Sequence, residues 1–462
     1  MLAKTINFSQ NEQLINRVIS GHKRRFGCPP QAAAYAPGRI EVLGNHTDYN
    51  EGYVLSAAID AGLCVAVSAG EGKRCILSAL DVGENAKFDL PAEKPIKNPH
   101  WANYLIGVTN KLGAMGKIER GFNLTFAGDV PPGAGLSSSA ALEVAAALAL
   151  CSVFNLKHRN FNGVTRIKAQ RNKVVIPAGL LRRSKALGYE GWKAGIQSQN
   201  KYLDSHFHGN DIKKDYAPGK FDLIQLARLC QQAENEFTGA RCGLLDQISS
   251  LFGAEQALIF TDFRSLTIAT EKIGTEMCFL LANTGVKHNL VESAYNERRE
   301  SCEKAALYFA SVLNHPVKAL RDVSPAELKK HSAGLDPLIF KRAAHIIGEN
   351  ERVLKARKFL QTGDMKNFGK LMFESHESSR VNFMNSCEEL DFIVETASGL
   401  KEVLGARLSG GGFGGSAVLL INPKNAAEIG GKISSAYAKR FGAACQVRVV
   451  QPSAGAQLLN NE

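Results

Sequence analysis

Residues 130–143 of the chain read VPPGAGLSSSAALE. Before this stretch, residues 121–130 alternate large apolar side chains with small or polar ones, which is typical of a half-buried strand. After it, residues 140–154 are mostly alanine, leucine and valine, a composition that favours a buried helix. A strand that passes through small residues into a helix places unpaired backbone N–H groups and the positive end of the helix dipole at one point. The pattern therefore predicts an anion site where the helix begins.

The loop itself has two features of a phosphate cradle. Gly133 and Gly135 allow a sharp turn and a close approach to a ligand, while Ser137, Ser138 and Ser139 supply hydroxyls at the start of the helix. No lysine follows the glycines, so the stretch is not the common P-loop of nucleotide-binding proteins. On these residues alone, a phosphate cradle and an ordinary capped helix after a glycine turn both remain open.

Length and composition describe a large globular protein. With 462 residues, 45% of them hydrophobic and 22% charged, the chain can bury a large core and is expected to form two lobes or more. We expect no secretory signal at its start, and its longest apolar run is too short to cross a bilayer. The ten cysteines form no Cys-x-x-Cys pair, which predicts free thiols in a reducing cytoplasm.

The positive charge is concentrated in one segment. The net charge is +12, and residues 157–220 contain 14 lysines and arginines against 4 acidic residues. Because this segment shows no sustained helical or strand period, we favour a disordered or loosely folded insertion over a nucleic-acid-binding patch. His206 and His208 lie in it without a third ligand at metal spacing, so no metal site is expected there.

Residues 37–49 bring together many polar groups. Their carboxylate and amide oxygens can accept hydrogen bonds from hydroxyls, and Arg39 and His46 can donate. Apolar stretches at residues 54–59 and 63–69 predict strands after them, and a loop held by strands is a common place for a binding site. A solvated turn is the alternative.

Two further stretches suggest a ligand site. Asp246 lies among leucine and isoleucine side chains, where a carboxylate needs a cation or a hydrogen bond, in a site or in a structural ion pair. Residues 410–415 hold five glycines in six positions, which favours close backbone approach to a ligand. The segment after these glycines, residues 417–421, is predicted to be a strand and not a helix, so a dinucleotide-binding motif is excluded.

Taken together, three of these stretches resemble one family, the galactokinases of the GHMP small-molecule kinases. The three motifs are residues 37–49, 131–141 and 405–415. Other segments resemble galactokinases in the same order, namely residues 101–104, 233–235, 243–247, 262–266, 286–288 and 297–299. The resemblance covers nearly the whole chain except residues 157–220.

The resemblance implies an α/β (α+β) two-lobed GHMP kinase fold, with mixed sheets and helices and the active site in the cleft between the lobes. The N-terminal lobe would span residues 1–266, with the basic insertion at 157–220, and the C-terminal lobe residues 267–462. The implied activity is ATP-dependent phosphorylation of the C1 hydroxyl of galactose, with Mg²⁺ as cofactor. Sugar and ATP are the expected partners of a cytoplasmic monomer, with no membrane contact, and nucleic-acid binding is not favoured.

Roles for individual residues also follow from the resemblance. Asp246 would take the proton from the anomeric hydroxyl, and Arg39 would stabilise charge on the transferred phosphoryl group. Ser139 and Glu234 would hold Mg²⁺ through oxygen atoms. The implied sugar-binding residues are Glu41, Asn45, His46, Thr47, Asp48 and Tyr295. The implied ATP-binding residues are Gly133, Ala134, Gly135, Leu136, Ser137, Ser138, Ser139, Gly411 and Gly412.

One departure from the family concerns the substrate. Galactokinases usually read Gly-Arg-x-Asn-x-x-Gly-Glu-His, whereas here Glu41 and Asn45 stand as if exchanged. In the family this glutamate accepts from the C6 hydroxyl. Either Glu41 supplies the carboxylate and galactose remains the substrate, which we favour, or Asn45 admits a C6-altered sugar such as galacturonate.

Two other observations bear on activity. The family tends to have an Asp-Asp pair where this chain has Val381 and Asn382, a change without a physical account. The alternative from another functional class is a catalytically silent sugar sensor. The sensors of this family have lost residues from the second motif. Here Ser139, Glu234 and Asp246 are all present, so catalysis is favoured.

Overall fold

The computed structural model describes residues 3–115, 118–131, 133–156, 223–287 and 291–459. The basic segment at 157–220, which includes His206 and His208, lies outside these residues. The helices are α1 Ala3–Phe26, α2 Ala102–Gly113, α3 Ser138–Val153, α4 Leu223–Thr238, α5 Leu245–Phe252, α6 Val291–Val312, α7 Pro325–Lys330, α8 Pro337–Thr362, α9 Met365–Ser378, α10 Glu388–Ser398 and α11 Ala426–Phe441. The strands are β1 Ala32–Leu43, β2 Tyr53–Ala69, β3 Arg74–Ala79, β4 Glu84–Asp89, β5 Phe122–Gly128, β6 Ala257–Asp262, β7 Thr267–Lys272, β8 Cys278–Lys287, β9 Val403–Ser409, β10 Gly414–Ile421, β11 Gln446–Val450 and β12 Gln457–Leu459.

The strands form two sheets. The first has eight strands in the order β12-β1-β2-β5-β3-β4, with β6 pairing β2 and β7 pairing β6. It is mixed, since β3 runs parallel to β5 while its other pairs are antiparallel. The second sheet is antiparallel, in the order β11-β8-β10-β9. Two sheets covered by helices confirm the predicted α/β (α+β) class.

The motif of residues 130–143 folds as its pattern predicts. The alternating residues form β5, and α3 begins within the three serines. Every residue of α3 from Ala140 to Cys151 is buried, because the helix packs against β1, β2 and the neighbouring helices α2, α4 and α5. Small alanine side chains allow this close packing of a helix on a sheet.

Residues 37–49 differ from the prediction in one respect. Residues 37–43 belong to the buried strand β1, and only the residues after Leu43 form a turn before β2. Similarly, the strands predicted at 54–59 and 63–69 are one strand, β2. Pairing with β1 continues through both halves of β2, with register shifts between Pro37 and Arg39 and between Glu41 and Leu43, and this long ladder outweighs the local interruption at Asp60 and Gly62.

The proposed division at residue 266 stays a prediction. On either side of it, β6 and β7 pair with one another and extend the first sheet, and the late strand β12 pairs with β1. The glycine-rich loop between β9 and β10 extends from the second sheet towards β1. Of the helices that the structure describes, none is long and apolar enough to cross a membrane.

Candidate active site

A pocket lies where the first sheet meets the glycine-rich loop of the second. It is lined by Arg39, Glu41, Asn45, His46, Asp48, Cys242, Gly243, Leu245, Asp246, Tyr295, Gly410 and Gly411. The lining residues come from β1 and its following turn, the start of α5, helix α6 and the β9–β10 loop. Eight of them were predicted from the sequence as site residues, although they come from four separate segments of the chain.

An ion pair connects this pocket with the predicted phosphate loop. The Arg39 Nε lies 2.8 Å and its Nη2 2.7 Å from Asp246 Oδ1. The third nitrogen, Nη1, donates to the Gly135 carbonyl oxygen at 2.5 Å. The Arg39 side chain is only 7% exposed, whereas that of Asp246 is 25% exposed, so the carboxylate can meet a ligand while the guanidinium is held in place.

Ser137 fixes the second oxygen of the same carboxylate. Its backbone is left-handed, with φ of 56°, and its hydroxyl donates to Asp246 Oδ2. Non-glycine residues adopt this conformation rarely and at a cost, so here it is held by the surrounding structure. The turn therefore aims the side chain at the carboxylate and leaves Ser138 and Ser139 in the first turn of α3.

A second group of oxygen atoms lies beside the start of α3. The Ser139 hydroxyl donates to Glu234 Oε1 at 3.0 Å, and Gln247 Nε2 donates to Glu234 Oε2 at 2.9 Å. Gln247 also lies 3.3 Å from a second buried carboxyl, that of Glu143. Burial, and then the charge of Asp246, raises the pKa of Glu234. None of the hydrogen bonds found among described residues brings a cation to Glu234.

Glu143 was quoted in the motif but not predicted as a site residue. It is completely buried in α3, and its Oε1 has no hydrogen-bond partner among the described residues. Burial, and then the charge of Glu234, raises the pKa of Glu143 well above its usual value. An uncompensated carboxylate is costly to bury, so the neutral form is favoured.

His46 is a neutral imidazole in the pocket wall. Burial lowers its pKa to about 3. Its Nε2 lies 3.2 Å from the Gly411 carbonyl oxygen, which can only accept, so Nε2 carries the proton. Its Nδ1 then accepts from the Tyr49 hydroxyl at 2.7 Å. The ring also packs on Tyr295 with centroids 4.8 Å apart, which ties α6 to the pocket.

Asp48 lies close to the other acidic side chains of the pocket. Burial, and then the charges of Asp246 and Glu41, raises the pKa of Asp48 to about 7, although backbone N–H groups of Tyr49 and Leu245 oppose the shift. A Cβ atom on Gly243 would lie 1.8 Å from Asp48 Oδ2. Only glycine therefore fits beside this carboxyl.

Glu41 forms the second ion pair of the pocket wall. Its Oε1 lies 3.0 Å from Arg407 Nη1, and the Arg407 side chain is wholly buried in β9. Burial raises the pKa of Glu41, and the charges of Arg407 and Arg39 oppose it. The backbone N–H of Glu41 donates to the Ser409 hydroxyl at 3.0 Å, so this pair joins β1 to β9.

The other predicted residues lie outside the lining of this pocket. Thr47 is buried, and its hydroxyl donates to the carbonyl oxygens of Gly44 and Tyr53, both at 2.7 Å, so it closes the turn. Gly412 faces the Asn385 carbonyl oxygen, 2.0 Å from where its Cβ would lie. The loop residues from Gly133 to Ser139 lie next to the pocket. The Gly135 carbonyl oxygen accepts a hydrogen bond from Arg39, which lines the pocket.

Several contributors were not assigned as site residues, although most of them lie in stretches that the sequence analysis singled out. Cys242, Leu245 and Gly410 line the pocket through backbone turns that bring distant segments together. Gln247 and Arg407 act on predicted carboxylates from α5 and β9. Gln247 directly follows Asp246 and lies in the family-like segment 243–247, which were the hints that could have identified it.

Comparisons with known proteins agree with this geometry. Three family descriptions match the chain: the galactokinase galactose-binding signature at residues 20–69, the GHMP kinases N terminal domain at 103–170 and the GHMP kinases C terminal at 356–439. A galactokinase of Actinobacillus pleuropneumoniae serotype 3 (strain JL03) is 33% identical over 436 residues, covering 93% of this chain and 95% of that protein. A galactokinase of Pasteurella multocida (strain Pm70) is 33% identical and covers 91% and 93%.

A solved structure is similar over nearly the full length. The crystal structure of Lactococcus lactis galactokinase complexed with galactose superposes with a TM-score of 0.78 at 27% identity. The superposition covers 96% of this chain and 99% of that one. The likeness thus extends over nearly the whole fold.

Proposed function

The chain belongs to the galactokinase family of the GHMP kinases, and we propose that its pocket transfers the γ-phosphoryl group of ATP to the C1 hydroxyl of galactose. The observation that carries the proposal is the position of Arg39. Its guanidinium touches Asp246 in the sugar pocket and the Gly135 carbonyl of the phosphate loop, so it lies between acceptor and donor. Phosphoryl transfer requires chiefly this kind of positioning and positive charge.

Asp246 acts as the general base in this proposal. Its carboxylate is reachable from the pocket, while Arg39 and Ser137 hold its two oxygens in a fixed orientation. A sugar hydroxyl within hydrogen-bond distance would pass its proton to this carboxylate as the oxygen attacks phosphorus. Arg39 then lies beside the charge that develops on the transferred group.

The oxygen atoms at the start of α3 fit Mg²⁺. Ser139 and Glu234 form a donor set of oxygens only, as this hard cation prefers, and two buried carboxyl groups nearby have no cationic partner among the described residues. We propose that Ser139 and Glu234 hold the ion, with Gln247 orienting Glu234. When bound, Mg²⁺ supplies positive charge to the ATP phosphates.

The sugar is proposed to contact the wall opposite the phosphate loop. Asp48 and Glu41 supply carboxyl oxygens for hydroxyls, while the neutral His46, Tyr295 and Asn45 complete the wall. Thr47 acts indirectly, by closing the turn that carries its neighbours. For ATP, the loop from Gly133 to Ser139 and the backbone at Gly411 and Gly412 are the proposed contacts.

The remaining properties are inferred from the chemistry of the chain. All ten cysteines are free thiols, which supports a reducing compartment such as the cytoplasm. A monomer is proposed, with sugar and ATP as its small-molecule partners. A silent sensor is not favoured, because the base, the arginine and the metal-site oxygens lie at the proposed reaction centre. Galacturonate is not favoured as the substrate, because Glu41 places a carboxyl group in the pocket wall.

A substrate screen tests this proposal. ADP release is measured with Mg²⁺ and ATP across galactose, N-acetylgalactosamine, galacturonate, fucose and arabinose. Galactose is expected to give the highest kcat/KM, with galactose 1-phosphate as product. Galactose binding without ADP release from any of these sugars would instead identify a sensor.

A further inference from the structure

Asn45, on the pocket wall, has no hydrogen-bonding capacity left for a ligand. Its two N–H donors go to Glu41 Oε1 and to the Gly410 carbonyl oxygen, both at 2.8 Å. Its oxygen accepts from Asn385 Nδ2 at 2.9 Å and from the Ser379 hydroxyl at a longer 3.4 Å. An amide offers two donors and two acceptor positions, so the protein uses all four. Asn45 therefore connects protein segments.

Only one of the two carboxylate oxygens of the neighbouring Glu41 accepts hydrogen bonds from side chains that the structure describes. Both of its side-chain hydrogen bonds, from Asn45 and from Arg407, go to Oε1. Among the residues that the structure describes, none donates to Oε2, and Glu41 lines the pocket. A carboxylate oxygen in this position can accept a hydrogen bond from a molecule that enters.

The negative charge of Glu41 is stabilised by its ion-pair partner, Arg407. A guanidinium stays protonated in proteins, and that of Arg407 is wholly buried in β9 with its one hydrogen bond from the described chain made to Glu41. Neutralising Glu41 would leave this buried cation without its hydrogen-bonded carboxylate, which is costly. Arg407 therefore favours the carboxylate form of Glu41.

We propose that Glu41 is the residue that determines sugar specificity: its Oε2 accepts from a hydroxyl of the sugar, and its charge excludes sugars that carry a carboxylate. This rests on the proposed sugar kinase function. Arg407 and Asn45 are positioning residues, which hold Oε1 and so direct Oε2 into the pocket. The carboxylate that recognises the sugar thus belongs to strand β1 and not to the turn that follows this strand.

The other charges of the pocket support exclusion of acidic sugars. Asp48 and Asp246 add two further carboxyl groups, while Arg39 is already paired with Asp246 and Arg407 with Glu41. His46 is neutral. A uronate would therefore meet carboxyl groups and, among the described lining residues, no unpaired cation, and like charges in such contact weaken binding strongly.

The experiment compares substrate ratios in wild type and Glu41→Gln. Values of kcat/KM are measured for galactose, 2-deoxygalactose, 6-deoxygalactose and galacturonate. Wild type should prefer galactose over one of the two deoxy sugars by about 10- to 100-fold, the range for a hydrogen bond to a charged group. In Glu41→Gln that preference should fall by about tenfold, and the activity on galacturonate relative to galactose should rise.

These ratios do not depend on how much of a variant folds, because both substrates meet the same preparation. Unchanged ratios in Glu41→Gln would overturn the proposal. Wild type that prefers galacturonate would overturn it as well. If wild type phosphorylates none of the sugars, the kinase function itself fails, which is a different outcome.

Asn45→Ala provides the matched control. It removes one of the two donors to Glu41 Oε1 and leaves the carboxylate and its Arg407 partner in place, so we expect a lower Tm and some loss of kcat/KM, with the preference for galactose over the same deoxy sugar kept within about threefold. A preference that collapses in Asn45→Ala and survives in Glu41→Gln would assign recognition to Asn45 and refute our proposal.

Discussion

Arg39 and Arg407 each bind one carboxylate of the same pocket, but their surroundings differ. Arg39 uses all three guanidinium nitrogens, on Asp246 and the Gly135 carbonyl, and its partner is partly exposed. Arg407 is completely buried, and its Nε and Nη2 have no partner among the described residues. The first pair is arranged to act on a bound molecule, whereas the second holds two strands and one carboxylate in place.

The largest effect is expected at the first pair. Arg39→Ala should lower kcat/KM for galactose by about 10³-fold or more, the scale of arginines that stabilise phosphoryl transfer.

Asp246→Asn should also abolish most turnover while galactose binding remains measurable by calorimetry, since it removes the base but little volume. Near-native turnover in purified Asp246→Asn would contradict its role as the base.

The second pair should respond in stability. Arg407→Met leaves Glu41 buried without its cation, which is expected to cost about 3–5 kcal/mol of unfolding free energy. Arg407→Met with Glu41→Gln should recover much of this loss, because no unpaired charge remains. Chemical denaturation of the two variants measures the difference, and equal losses in both would contradict the ion-pair interpretation.

The Asp48 carboxyl is close to the carboxylates of both ion pairs, and the absence of a side chain at Gly243 leaves room for it. Gly243→Ala places a methyl group against the Asp48 carboxyl, so we expect a loss of about 1–3 kcal/mol from overpacking and a higher KM for galactose. Gly113→Ala is the matched control, since its Cβ would meet nothing within 4 Å and its φ is ordinary. The expectation is contradicted if both variants keep wild-type KM and Tm.

The smallest effect concerns a buried group without an ionic partner. His22 contacts the hydroxyls of Thr125 and Ser68, and burial lowers its pKa to about 4. The unfolded chain takes up this proton below about pH 6.5 and the folded chain does not, so stability falls as pH drops from about 6.5 towards 4. The loss of unfolding free energy between pH 7.5 and 5.5 should be about 1 kcal/mol smaller in His22→Asn. An identical loss in both proteins would mean that His22 titrates normally.

Local patterns were enough to predict the strand, the glycine turn and the helix of the first motif. The alternation of β5 and the alanine-rich α3 depend on neighbours in sequence, and Gly133 and Gly135 between them readily adopt the positive φ that the turn requires. Arg39, Asp246 and Glu234 were assigned through the family resemblance. The structure brings them close together, and their catalytic roles stay predictions.

What the sequence could not predict depends on contacts between distant segments. Whether Glu41 or Asn45 is free for a ligand is decided by Arg407, Asn385 and Gly410, which lie more than 300 residues further along the chain. Thr47 differs, because the carbonyl oxygens that accept from its hydroxyl lie within six residues of it. Composition and periodicity contain no information on such pairings.

The pairing of β12 with β1 has a consequence for biosynthesis. Ala33 to Tyr35 in β1 bond to residues 457–459, so this edge of the first sheet stays open until almost the last described residue has left the ribosome. An open edge of small apolar residues can pair with another nascent chain. The N-terminal strands would therefore have one unpaired edge during most of translation. A premature stop codon shortly before residue 457 would leave that edge exposed permanently.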